Sequence, residues 1–160
     1  MKGTTMSEQP VRIALVVSEF NYDVTRIMEE KAISHARFLG AEVPIVFRVP
    51  GVYDSPFGVL QVIKLDYVDA VAVIGAVIQG ETKHDEVVAN QAARALIDIS
   101  LQYGKPVTLG VIGPGASRVQ ALERAEEYAR RAVEAAVKLV RRQRALAGSR
   151  PAAGQTLTVG

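Results

Sequence analysis

The sequence predicts an α/β domain in which a four-stranded parallel sheet lies between helix layers. Two observations carry that expectation. Four short apolar runs rich in β-branched residues alternate with four longer segments of helical character. Each run is nearly continuously apolar, as strands covered on both faces are, whereas a half-exposed strand alternates. A length of 160 residues suits one compact domain, and 49% apolar against 22% charged residues is a globular composition.

The strands are expected over residues 11–17, 43–49, 68–74 and 106–112. Pro44 would cost a central strand a hydrogen bond, so the second run either lies at a sheet edge or starts late. The first helix, 23–39, stops at Gly40, a C-cap signal. A shorter helix covers 55–64. The third, 82–103, carries Val88, Ala92, Ala95, Leu96 and Ile99 on one face and ends at Gly104. The last opens with the capping-box pattern Ser117-Arg-Val-Gln120 and places Leu122, Ala125, Ala129, Val133, Ala136, Val137 and Val140 on one stripe. The organisation is therefore an N-terminal segment (1–10), one domain (11–147) and a flexible Gly/Ala/Ser/Pro-rich tail (148–160).

Composition excludes several classes of function. There is no cysteine, hence no disulfide framework, thiolate nucleophile or cysteine-based metal site. Nineteen basic against 17 acidic residues leave a charge of +2, too small an excess to argue for nucleic acid. The basic residues Lys138, Arg141, Arg142, Arg144 and Arg150 read as a solvated helix end. No apolar run approaches the roughly 20 residues of a membrane helix, and the polar first ten residues lack a signal peptide's apolar core. A soluble cytoplasmic protein is the expectation.

Open parallel sheets bind ligands beyond the carboxyl ends of their strands, and the unusual residues gather there. Gly75-Ala-Val-Ile-Gln-Gly-Glu-Thr-Lys-His-Asp85 reads as a strand ending at Gly75, a glycine turn, and a helix opened by a Thr82–Asp85 capping box. Such a turn presents amide N–H groups and a positive dipole end to an anion, although many α/β proteins keep one for packing alone. The same dipole end favours a neutral His84 ring that can accept a proton; a surface histidine is the plainer reading. With no second histidine three or four residues away, metal binding is not expected. Phe20 either stacks on a planar ring or fills the core. Asn21 reads as a helix N-cap. Asp54 either accepts hydrogen bonds from hydroxyls or caps the short helix. His35 and Arg124 read as solvated residues.

Together these pieces resemble the 6,7-dimethyl-8-ribityllumazine synthase family over residues 11–142. The strongest marker is Gly75-Ala-Val-Ile-Gln-Gly-Glu-Thr-Lys-His84, similar to G-x-V-I-x-G-x-T-x-H. Glu19-Phe-Asn21, Val49-Pro-Gly51 with Pro56, and Pro106-Val-Thr-Leu-Gly-Val111 follow in the family's order and spacing. The patterns V-P-G-V-x-D and G-P-G resemble its archaeal branch. Asp54 replaces a glutamate and Leu109 a phenylalanine common in bacterial members, and Gly113-Pro-Gly-Ala-Ser117 replaces Thr-Thr-Glu.

The resemblance implies a three-layer flavodoxin-like fold and subunits assembled into pentamers, some forming icosahedral shells. It implies a transferase of riboflavin biosynthesis with small-molecule substrates and no cofactor. Phe20 would stack on the pyrimidine; Val52, Tyr53 and Asp54 would hold the ribityl chain. Ala76, Val77 and Ile78 would contact the pyrimidine through main-chain groups, while Glu81 and Thr82 would bind phosphate through backbone amides. His84 would transfer protons. Leu109 would come from a neighbouring subunit to cover the ring, and Arg124 would pair with the phosphate. Two other readings are a riboflavin synthase of the same fold, which joins two lumazines, and a non-catalytic flavin- or pteridine-binding shell protein. An intact phosphate loop and His84 favour the lumazine synthase.

Overall fold

The structure, a computed structural model, describes residues 9–80 and 84–160. Among the described residues four strands and four α-helices alternate: β1 (Arg12–Ser18), α1 (Tyr22–Phe38), β2 (Glu42–Val49), α2 (Ser55–Ile63), β3 (Ala70–Ile78), α3 (His84–Tyr103), β4 (Val107–Ala116) and α4 (Arg118–Ala147). All strand pairs are parallel, in the order β2-β1-β3-β4. β2 lies at an edge and begins at Glu42, ahead of Pro44, so of the two placements open to it the strand takes the edge rather than a late start. Its register with β1 slips by one residue between Arg12↔Glu42 and Ala14↔Ile45, so Pro44 sits in the bulge. Among the described residues no helix is long and apolar enough to cross a membrane.

Successive β1 side chains point to opposite faces, and each face has its own core. Ile13, Leu15 and Val17 pack with Val24, Met28 and Ala32 of α1 and with α4. Ala14 and Val16 pack with Val59, Val62 and Ile63 of α2 and with Ala92 and Leu96 of α3. A Schellman turn closes α1, with Gly40 N–H on Arg37 O and Ala41 N–H on Ala36 O. The Ser117–Gln120 capping box opens α4 as the sequence indicates.

Four details differ from expectation. The buried stripe of α4 starts at Ala121, and Leu122, about 100° further round the helix, is exposed. Small side chains dominate the stripe, and they let the helix sit close enough for the Thr108 hydroxyl to donate to Ala132 O at 2.8 Å. β3 does not stop at Gly75 but runs on to Ile78, because β4 is longer too and pairs Ala76 with Ile112 and Ile78 with Ala116. Gly113 (φ +94°) makes this possible, since a Cβ there would collide with the Val77 carbonyl.

His35 is not solvated: it falls on the stripe that α1 turns toward α4, with Met28 and Ala32. Its ring stacks on Phe38, centroids 5.8 Å apart, and its Nε2 lies 3.2 Å from Glu134 Oε2. That hydrogen bond holds the Glu134 carboxyl below its ordinary value. Arg144, too, is largely buried, bonding Asp69 Oδ2 at 3.2 Å alongside Arg12 and tying α4 to the amino ends of β1 and β3.

Ala129 has no solvent exposure, so Ala129→Leu is expected to overpack the α4–sheet contact and cost about 1–3 kcal/mol. Denaturant unfolding measures it; an undiminished midpoint would mean α4 stands further from the sheet than its alanines imply.

Candidate active site

The carboxyl ends of β1 and β3 and the loop after β2 surround an open cleft of about 520 Å³. Its shape follows from how the loops are tied. Glu19 N–H donates to Val49 O at 2.8 Å and Phe20 N–H to Pro50 O at 2.9 Å, so the loops after β1 and β2 run as one bonded ribbon. Gly51 lets the Phe20 ring lie against that ribbon: a Cβ at Gly51 would fall 2.7 Å from Phe20 Cδ2. A single 3₁₀ turn, Val52–Asp54, then leads into α2.

Asp54 stands at the N-cap position of α2 but makes no side-chain capping bond there; its side chain closes the preceding 3₁₀ turn instead. Its carboxylate accepts from Gly51 N–H at 2.9 Å while still lining the cleft. Asn21 occupies the N-cap position but in the left-handed region (φ 62°), and its side chain makes no capping bond. Instead Nδ2 donates to Ala76 O at 2.8 Å and Oδ1 accepts from Arg118 at 3.1 Å. Arg118 also places Nη1 2.7 Å from both Asp23 carboxylate oxygens, and that hydrogen bond lowers the Asp23 pKa.

Most of the sequence-predicted residues meet here. Phe20 and Tyr53 lie on the cleft 68% and 65% exposed, far too open to be core filling. Val52, Ala76 and Val77 are buried in its floor, and Ile78 and Asp54 are half-buried beside them. Exposed His84, the first residue of α3, lines the opposite wall with Asp85 and Val88. Glu81 and Thr82, and with them the Thr82 capping box, lie outside the described residues, as does most of the N-terminal segment.

Leu109 and Arg124 do not join the others. Leu109 stands on β4 with 52% exposure, and Arg124 is exposed on α4; neither lines this chain's cleft.

Sequence reasoning missed three contributors. Arg118 and the cross-strand role of Asn21 involve partners distant in the chain, so no local pattern announces them. Ser18 ends β1 on the cleft floor with its hydroxyl buried, and that hydroxyl finds no hydrogen-bond partner among the described residues.

A parallel α/β domain with an exposed aromatic ring, main-chain edges and a helix-opening histidine around one cleft has the layout of a small-molecule enzyme. The chain belongs to the 6,7-dimethyl-8-ribityllumazine synthase family, whose model matches residues 10–144. It is 71% identical over 139 residues to the 6,7-dimethyl-8-ribityllumazine synthase of Aeropyrum pernix, covering 86% of this chain and 95% of that protein. The protein of the same name from Pyrobaculum arsenaticum is 67% identical over 136 residues, covering 85% and 91%. That from Staphylothermus marinus is 59% identical over 148 residues, covering 92% and 98%.

Because the Ser18 hydroxyl has no bond to lose among the described residues, Ser18→Ala is expected to keep the unliganded protein's stability or raise it, by up to about 1–3 kcal/mol. Thermal unfolding without ligand reads this directly. A clear fall in midpoint would reveal a partner for the hydroxyl.

Proposed function

We propose that this chain works as a 6,7-dimethyl-8-ribityllumazine synthase. It condenses 5-amino-6-(D-ribitylamino)uracil with L-3,4-dihydroxy-2-butanone 4-phosphate, giving 6,7-dimethyl-8-(1-D-ribityl)lumazine, phosphate and water. The observation that carries this reading is one cleft joining the exposed Phe20 face, the β3 main chain and His84, in a chain that its relatives match over most of its length.

Phe20 offers its face to the pyrimidine. Hydrogen bonds from ring and ribityl groups go to the main chain of Ala76, Val77 and Ile78 and to Val52, Tyr53 and Asp54. Because Asp54 already grips Gly51 N–H, its carboxylate is held in place before ligand arrives. Glu81 and Thr82 precede a 20-residue helix whose amino end favours an anion, and they bind the butanone phosphate through their amides.

The chemistry is then largely positional. The 5-amino group attacks the ketone carbonyl and water leaves as the imine forms. Loss of a proton from the neighbouring carbon expels phosphate and, after tautomerisation, leaves a carbonyl next to the imine. The ribityl-bearing nitrogen attacks that carbonyl, and a second water leaves as the ring closes. Holding two reactants in register can supply up to about 7–11 kcal/mol of a barrier. His84, at the cleft wall, shuttles the protons.

Leu109 and Arg124 complete the site from a neighbouring copy in a homo-oligomer, a pentamer or a shell built from pentamers. Three facts support this. Leu109 is exposed although it belongs to a strand. Val87, Ile97 and Leu101 leave an uncovered apolar surface on α3. Arg118, Arg130, Arg131 and Arg144 of α4 are each paired, while Arg124 has no ion-pair partner among the described residues. Both substrates are small water-soluble metabolites, which supports a cytoplasmic place of action.

Mixing the protein with both substrates and following lumazine fluorescence tests the reading. Flavin formed from lumazine alone would point instead to a riboflavin synthase, and tight lumazine binding without turnover to a carrier. His84→Ala is expected to slow turnover by about 10²–10⁴-fold without abolishing it; an unchanged rate would remove its assigned role. Arg124→Ala should raise KM for the phosphate substrate far more than for the pyrimidine, as steady-state kinetics with each substrate varied will show.

A further inference from the structure

We infer that Arg118 is a positioning residue for the pyrimidine end of the site, acting through the Asn21 amide on the Phe20 platform. The inference rests on the proposed reaction.

Phe20 is 68% exposed, so few protein atoms hold its ring directly. What aims it is the backbone of Glu19, Phe20 and Asn21. Two hydrogen bonds to Val49 and Pro50 hold the outer side of that segment. Its inner end turns through a left-handed Asn21, a conformation asparagine tolerates but does not prefer in the absence of local bonds.

The Asn21 amide supplies those bonds from both ends. Ala76 O can only accept, so it selects Nδ2; a guanidinium can only donate, so it selects Oδ1. Arg118 is itself held by Nη1 against both Asp23 oxygens at 2.7 Å, leaving Nη2 aimed at Asn21. The fork thus reaches from the first turn of α4 to the start of α1, and the amide carries the constraint to β3 beneath the cleft. A lysine has one nitrogen and cannot reproduce both limbs. Arg118 and Asp23 are each about half exposed, and such pairs contribute little to stability. The consequence of the fork therefore lies in ligand binding.

The experiment is steady-state kinetics on Arg118→Leu, Asn21→Ala and the double variant, with thermal unfolding measured alongside. Arg118→Leu should raise KM for the ribitylaminouracil about three- to tenfold, less than a hydrogen bond to a charged group contributes directly because this one acts on the ligand only through Phe20, with kcat changed less than about twofold. In the Asn21→Ala background the same substitution should add nothing to KM. Asp23→Asn, which keeps an acceptor for Nη1, should leave KM within about twofold. Should Arg118→Leu fail to fold, Arg118→Lys is read instead, with KM rising although the ion pair to Asp23 persists. A KM left unchanged by Arg118→Leu where the wild type turns over, or equal effects of the substitution with and without Asn21, overturns the inference. A wild type that makes no lumazine overturns the proposed function instead.

Discussion

One amide holds the corner of the molecule on which the site depends. Asn21 binds a β3 carbonyl with its nitrogen and an α4 arginine with its oxygen, while its own backbone starts α1. In a parallel sheet the strand ends are not joined by hairpins, so the loops that leave them must be fixed by other means. Here main-chain bonds fix the loop after β1 to the loop after β2, and the Asn21 side chain fixes it to β3. Without that second tie the aromatic residue before Asn21 would rest on one side only.

The two faces of the sheet serve different ends. The α1/α4 face is sealed, with alanines at Ala121, Ala125, Ala129, Ala132 and Ala136 bringing α4 down onto the sheet. Of the α3 side chains only Ala92 and Leu96 are buried, so that helix covers the other face loosely and leaves apolar side chains outside. A sealed face on one side and an incompletely covered one on the other are what the proposed completion of the cleft by a second copy would require.

The fold was legible in the sequence because periodicity is a local property. Continuous apolar runs mark doubly covered strands, and Pro44 narrows the second of them to a sheet edge or a late start. Element ends were less legible where they depend on pairing: β3 passes Gly75 because β4 runs on through a glycine that lets it lie against Val77. Burial of His35 and Arg144 was illegible for a related reason, since Glu134 and Asp69, their partners, are remote in sequence. At the site, the place of Phe20, Asp54 and His84 on the cleft was readable because each sits next to a strand end or a helix start, whereas Tyr53 came only with the family resemblance. Arg118 was not, because a capping box accounts for its neighbourhood and nothing nearby shows that its side chain crosses to another helix.

Arg118 and Arg124 show why a residue type alone could not assign roles along α4. An arginine bound at Nη1 by a carboxylate and at Nη2 by an amide oxygen has its charge compensated and its guanidinium held in one orientation. Swinging it toward a phosphate would cost those bonds, and the loop bearing Phe20 would lose its brace just as substrate arrives. Arg124 carries no such commitment among the described residues, and it projects from a surface that the chain's own cleft does not use. One arginine can organise the pyrimidine end because it is engaged, and the other can receive an anion from a neighbour because it is not. Substitution at either should therefore separate the two substrates kinetically, although both residues lie on the same helix.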